Sequence, residues 1–272
     1  MKTILYVFGM GWEEKKALVD RLLEDLGRAD LKQHYHLIAP SSETRVVPSA
    51  QYRLPFSQDD PTLDRLIDAL KEAKIQYRPE RQYTRQELLQ AELLELMVTG
   101  VAGEVKNDQY DMSQMCRYCR HPRVQVADLV IDKRLMGQKD IAATYGYEIV
   151  ITQRLAQLFQ KAEFSGYELR PVHHHSKRLT SEPVLYQLVP THVLPLMAAP
   201  PTRVKPCPVC GKPLHDTFSE IFYHRRDLEQ AGLEDFNLAQ ERWLIAITQR
   251  VYRLLLEHKV KKFKVEVIRI MD

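Results

Sequence analysis

Ile151-Thr152-Gln153-Arg154 recurs as Ile247-Thr248-Gln249-Arg250, at an offset of 96 residues. A shared tetrapeptide is weak by itself, but the residues after it keep one apolar pattern without a gap. Leu155 meets Val251, Leu158 meets Leu254, Phe159 meets Leu255, Phe164 meets Val260, Tyr167 meets Phe263, Leu169 meets Val265 and Val172 meets Ile268. The first of these recur at helical spacing and the last alternate, so each copy predicts a helix followed by a strand. Upstream, Lys139-Asp140-Ile141 parallels Arg226-Asp227-Leu228, and Cys116-x-x-Cys119 parallels Cys207-x-x-Cys210 at an offset of 91. Loops absorb the difference between the two offsets. The second half therefore reads as one unit written twice, with repeats at about 110–189 and 203–272.

Working towards the N-terminus, the chain shows another organisation. Residues 3–8 are rich in β-branched and aromatic side chains and predict a strand. Residues 12–26 carry Leu18, Leu22, Leu23 and Leu26 on one helical face. Strands follow at 34–39 and at 45–54, the latter broken by Pro48, then a helix at 61–75 and a strand at 75–78. That order, β-α-β-β-α-β, is the pattern of a ferredoxin-like sandwich. A further helix is expected at 84–98, where Thr84 and Glu87 form a capping box. Gly100, Gly103, Asn107 and Asp108 are turn-formers and place a boundary. The expected class is α+β, with an N-terminal α/β domain at 1–102 and a duplicated zinc-knuckle and strand-helix-strand domain at 103–272. A length of 272 residues accommodates two packed units.

Composition limits the function classes. Hydrophobic content of 44% with 28% charge is that of a folded chain, and a formal charge of +3 is too small to argue for nucleic acid. No apolar run approaches the roughly 18–20 residues of a membrane span. The apolar start is followed at once by Glu13, Glu14, Lys15 and Lys16, with no cleavage signature, and reads as a buried strand. A cytoplasmic location is the expectation, and thiols stay reduced there.

Cysteine pairs in that compartment point to metal or redox chemistry. A Cys-x-x-Cys turn places two thiolates within reach of one Zn²⁺, and two such turns supply the four soft ligands of a closed tetrahedral site. The expected ligands are Cys116, Cys119, Cys207 and Cys210, and a Cys₄ set implies structure and not hydrolysis. Pro208 and Gly211 suit the tight turn of a knuckle. Two other readings stay open. One is a thioredoxin-like redox pair, although neither pair precedes a clear helix; the other is a metal-free relic of a zinc site.

Other groupings are blander. His173-His174-His175 lies on a predicted strand, where only His173 and His175 share a face; with no carboxylate near in sequence, a solvated strand end is expected. His121 and His215 lie just past the knuckles and read as bystanders. Arg134, Lys139, Asp140, Arg225, Arg226 and Asp227 read first as structural ion pairs, with a polar surface for a macromolecule as the sharper alternative. Lys259, Lys261, Lys262 and Lys264 alternate with Val260, Phe263 and Val265, a half-buried strand with a basic outer face. There is no phosphate-binding glycine loop, no Gly-x-Ser-x-Gly and no His-Glu-x-x-His; Gly9-x-Gly11 lacks the third glycine.

Several short motifs occur in a telling order: Tyr83-Thr84-x-x-Glu87-Leu88-Leu89, Tyr110-Asp111 before the first cysteine pair, Lys139-Asp140-Ile141 and Glu148-Ile149-Val150-Ile151. Gly166-Tyr167-Glu168-Leu169-Arg170-Pro171-Val172, Tyr186-Gln187-Leu188 and Cys207-Pro208-Val209-Cys210-Gly211 follow. In these the chain resembles bacterial proteins with a double Cys-x-x-Cys-Gly motif, a group linked to toxin-immunity loci. The likeness covers about two thirds of the sequence, and Arg120 departs from it at the glycine of the first motif. The resemblance implies a zinc-knuckle protein without established catalysis that acts by binding another protein, in some members as an immunity protein against a toxin. The alternatives are a nucleic-acid-binding zinc protein and an enzyme with its site between the two domains.

Overall fold

The computed structural model describes residues 2–9, 12–38, 49–57, 60–105, 109–119, 124–175, 184–198, 204–215, 222–239 and 244–272. Pro48, Asn107, Asp108, Arg120, His121 and Gly11 lie outside them. The fold is mixed α and β, as expected, and it divides into two compact units, Met1–Glu87 and Leu88–Asp272. That division falls before the 102/103 boundary drawn at the glycines, because residues 93–98 form a strand inside a sheet of the second unit.

The first unit runs β1 (Lys2–Gly9), α1 (Trp12–Asp25), β2 (Tyr35–Ile38), β3 (Ser49–Ser57), α2 (Thr62–Glu72) and β4 (Gln76–Gln82). Its sheet has the order β2-β3-β1-β4, with each neighbouring pair antiparallel. In β3 the buried Tyr52, Leu54 and Phe56 alternate with exposed Arg53 and Ser57, the period of a sheet with one covered face. Leu5 and Val7 of β1, Val19 and Leu23 of α1, and Leu66, Ile67 and Leu70 of α2 complete that core. Arg28 ties the loop before β2 to the start of α2 through Asp60 (2.5 Å) and Thr62 (3.2 Å).

A short helix, α3 (Arg85–Gln90), follows, and its capping box forms as expected: Thr84 N–H donates to Glu87 Oε2 (2.7 Å) and Glu87 N–H to Thr84 Oγ1 (3.2 Å). The helix expected at 84–98 nevertheless stops at Gln90, and β5 (Leu93–Val98) takes over. Leu93 and Leu94 are both fully buried and enter different cores, so this strand is covered on both faces. Such a strand reads as a continuous apolar run and cannot be told from a helix by periodicity.

The second unit continues with β6 (Val101–Gly103), β7 (Tyr110–Asp111), β8 (Val124–Gln125), β9 (Leu129–Ile131), β10 (Ile141–Thr144), β11 (Ile149–Thr152), α4 (Gln153–Lys161), β12 (Tyr167–His174) and β13 (Leu185–Pro190). It ends with β14 (His192–Val193), β15 (Val204–Pro206), β16 (Pro213–His215), β17 (Phe222–His224), α5 (Arg225–Ala231), β18 (Phe236–Ala239), β19 (Leu244–Thr248), α6 (Gln249–Glu257), β20 (Phe263–Val267) and β21 (Arg269–Met271). One sheet has the order β6-β10-β11-β13-β12-β9 and the other β14-β18-β19-β5-β20. β13 is thus inserted between β11 and β12, as β5 is between β19 and β20.

The segments β11-α4-β12 and β19-α6-β20 follow the same strand-helix-strand path. Each helix starts after a threonine in extended conformation, Thr152 (φ −74°, ψ 159°) and Thr248 (φ −71°, ψ 162°). Each buries the same three positions, Leu155, Ala156 and Phe159 in α4 and Val251, Tyr252 and Leu255 in α6. These six side chains share one core with Leu94, Leu96, Ile149, Ile151, Leu188, Phe236, Ile245 and Ile247, so both sheets and both helices contribute to it. Full burial of a large side chain stabilises by about 1.5–3 kcal/mol.

Candidate metal centre

Both cysteine pairs sit at the tips of two-stranded ribbons. β7 and β8 pair on either side of the first, with Tyr110 opposite Gln125 and Asp111 opposite Val124. Asp111 opens the turn by accepting from Ser113 N–H (2.8 Å), which holds its carboxyl below the usual carboxylate range. β15 and β16 flank the second pair, with Pro206 opposite Pro213. Cys207 N–H donates to Lys212 O (2.7 Å), and Gly211 N–H returns to Cys207 O (2.9 Å). Gly211 takes φ +74°, a left-handed conformation that suits glycine and explains its place in Cys-Pro-Val-Cys-Gly.

The two tips meet. Cys116 Sγ lies 3.8 Å from Cys207 Sγ, and Cys119 Sγ lies 3.6 Å from Cys210 Sγ. All four sulfurs fall within 4.8 Å of one another. A disulfide needs sulfurs about 2.05 Å apart, so these are four free thiols. For thiolates about 2.3 Å from a central ion, a tetrahedron has edges of about 3.8 Å, close to the separations of these two pairs. Cys116 and Cys207 are buried, while Cys119 is half-buried and Cys210 exposed. The cluster thus has an inner edge and an outer edge.

The electrostatics suit a cation. Backbone N–H groups of Cys119 and Tyr118 point at the Cys116 sulfur and draw its thiol down to about 6. Burial opposes ionisation of Cys207, but the amides of Cys210 and Val209 outweigh it and leave the thiol below its ordinary value. At Cys210 the Lys212 amide favours the thiolate, yet Cys207, burial and the other sulfurs push the thiol up to about 12. Amides prepare the inner thiolates, and crowding resists the last ionisation until a positive ion is present. All four donors are sulfur, and four fill a tetrahedron, so the group fits a soft or borderline divalent ion with no open position.

The remaining candidates separate from this cluster. Asp140 binds Arg154 through Nε (2.9 Å) and Nη2 (2.6 Å), and Thr152 Oγ1 donates to it (3.2 Å). Its counterpart in the other sheet is Asp235, which accepts from Thr248 Oγ1 (2.7 Å) and Arg250 Nη1 (2.9 Å). The sequence parallel pairs Asp140 with Asp227, but Asp227 is bonded to its neighbour Arg226. Arg225 bridges Glu92 and Asp272, and Lys139 reaches the carbonyls of Val101 and Leu135. These groups are engaged in ion pairs and hydrogen bonds within the chain.

The histidine run is arranged differently from the expectation. His173 pairs with Asp128 (3.1 Å), while His174 and His175 come together with Asp132. β12 ends at His174, so strict alternation stops before His175. Asp132 arrives from the end of β9, which pairs in parallel with β12, and 42 residues of separation hid it. Asp132 and Asp235 are the site and network residues that the sequence did not reveal. The β-strand of His215 belongs to the second ribbon, and no histidine whose side chain is described joins the cysteines. No helix of the described residues is long and apolar enough to cross a membrane.

No protein-family model matches the chain, and no curated protein matches it.

Proposed function

We propose that the protein is a non-catalytic, zinc-stabilised binding protein of the bacterial cytoplasm, and that it acts as an immunity protein by engaging a toxin partner. The observation that carries the structural part is the four-sulfur cluster, whose spacing suits Zn²⁺ and whose ligand set leaves no position for a substrate. Its likeness in motifs to double Cys-x-x-Cys-Gly proteins supplies the immunity part.

The clamp has something to hold in this reading. The second unit is an internal duplication whose two copies exchange a strand. Leu93-x-Glu95-Leu96-x-x-Thr99-x-Val101 parallels Leu185-x-Gln187-Leu188-x-x-Thr191-x-Val193 at an offset of 92. Each of these strands lies in the sheet that carries the other copy's helix. Thr99 N–H donates to Lys262 O (2.8 Å) as Thr191 N–H donates to Gly166 O (2.9 Å). Positive φ recurs in the same positions, Glu163 with Lys259 (both 52°) and Gly166 (79°) with Lys262 (72°). The flanking cores match as well: Ala102, Met136, Val150, Val172 and Leu185 in one, Leu194, Leu228, Ala246, Ile268 and Leu93 in the other. These matches move the start of each copy from 110 and 203 to the strands β5 and β13. For the first unit, the order β4-β1-β3-β2 with antiparallel neighbours supports the ferredoxin-like sandwich.

Two measurements test the reading. Elemental analysis of purified protein is expected to give one zinc per chain, lost in Cys116→Ser and Cys207→Ser. The gene is expected to neighbour a toxin gene, and co-expression of the two is expected to protect cells and to yield a complex. A zinc-free native protein contradicts the first part; toxicity unrelieved, with no complex, contradicts the second.

A further inference from the structure

Among the described residues, two groups bring three or more metal-ligating side chains together: the four cysteines, and Asp132 with His174 and His175. We propose that Asp132, His174 and His175 form a second, open metal site for a borderline divalent transition ion such as Ni²⁺, Co²⁺ or Zn²⁺. One ligand atom from each residue lies within 4.8 Å of the others. A carboxylate with two imidazoles is a donor set for such ions, and it leaves coordination positions to solvent. The cysteine cluster is closed; this one is not.

The local fold holds the ligands in place. Ile131 pairs with His174 in the parallel β9–β12 ladder, so the residue after one and the residue after the other emerge at the same corner. The His174 ring is set by backbone of that corner, with Nδ1 3.2 Å from Ile131 O and 3.4 Å from Lys133 N. Such backbone contacts orient ligating imidazoles. The Asp132 carboxylate accepts from Arg134 N–H (3.1 Å), Nε (2.8 Å) and Nη2 (2.8 Å). The Arg134 side chain is 69% exposed, so its grip is an open surface pair that an ion can displace or share. A carboxylate has about four acceptor positions, enough for both.

The comparable corner of the other half, where β17 runs into α5 beside β21, is closed by Arg225 with Glu92 and Asp272. An ordinary ion-pair set suffices there. That comparison rests on the repeat reading; the site itself does not.

A run of three histidines binds Ni²⁺ weakly in any context, so the test must separate a built site from a histidine tag. Full-length protein carrying one zinc on its cysteines is titrated with NiCl₂ by calorimetry. One further ion is expected. His175→Ala and Asp132→Asn are each expected to weaken it by about tenfold or more. Arg134→Gln is expected to tighten it, because Arg134 competes for the carboxylate. His173→Ala, which removes the neighbour paired with Asp128, is expected to leave it unchanged. No second ion, an Asp132→Asn variant that binds as the parent does, or His173→Ala weakening binding as much as His175→Ala overturns the proposal. His175 is exposed, so its variant stays informative if Asp132→Asn fails to fold.

Discussion

Gly166 has φ +79°, and a Cβ placed on it would lie 2.2 Å from the Phe236 carbonyl oxygen. Neither backbone can move without disturbing the Phe236 N–H bond to Ser165 O (3.1 Å). Gly166→Ala therefore combines left-handed strain with a backbone clash and is expected to cost about 1–3 kcal/mol or more; an unchanged urea midpoint would refute this. Asp60 offers a pH-dependent test in the first unit. Burial raises its carboxyl, but Thr62 and Arg28 outweigh that and hold it below the ordinary value. A depressed folded-state value gives stability that is full above the unfolded value of about 3.9 and is lost as pH falls through the folded one. Asp60→Asn is expected to cost about 1–2 kcal/mol at neutral pH, with the gap closing at acid pH where the parent is protonated too. Denaturant titrations of both proteins across that range measure it. At this scale the sequence was legible where chemistry is local: Cys-x-x-Cys turns and the Thr84–Glu87 box announce themselves within four residues. Asp132 and Asp235 were not, because their partners depend on which strands lie side by side.

Among elements, β5 carries the main lesson. Its Leu93 and Leu94 point to opposite faces and both are covered, so Leu93-Leu94-Glu95-Leu96-Met97-Val98 lacks the alternation that marks a half-exposed strand. The correct capping signal just before it made a long helix the natural reading. β11 and β19 are also covered on both faces, through Val150 and Ala246 on one side and Ile149, Ile151, Ile245 and Ile247 on the other. The threonine starts of α4 and α6 use the same Asp-Thr-Arg arrangement with different exposure. The Asp235 side chain is 5% exposed and that of Asp140 is 20%. Ser165 N–H also donates to Asp235 (3.3 Å). Removing a buried acceptor leaves its donors unsatisfied, at about 1–3 kcal/mol. Asp235→Ala is expected to destabilise more than Asp140→Ala by at least about 1 kcal/mol. Equal unfolding midpoints for the two variants would mean that the second network is no tighter than the first.

At the scale of the whole molecule, the distance between the cysteine pairs acquires a physical reason. A span of 91 residues between equivalent cysteines is too long for a compact finger, but it is the length of one copy in the duplicated reading. An ion there would close a long loop and join the two ribbons. Its binding energy then becomes folding energy for the second unit alone, since the first has a separate core without cysteines. Metal removal is therefore expected to act unevenly. Chelation under denaturing-free conditions should raise hydrogen exchange at 110–119 and 204–215, and then in the β11-α4 and β19-α6 segments, while β1, β3 and α2 keep their protection. Cys116→Ser should reproduce the pattern more strongly than Cys210→Ser, because Cys116 is buried at the inner edge and Cys210 is exposed at the outer one. Hydrogen-exchange mass spectrometry of the loaded, chelated and variant proteins reads all of this in one experiment. Uniform loss of protection across both units would show that the ion supports the chain as a single cooperative body. No loss anywhere would show that the ribbons stand without it.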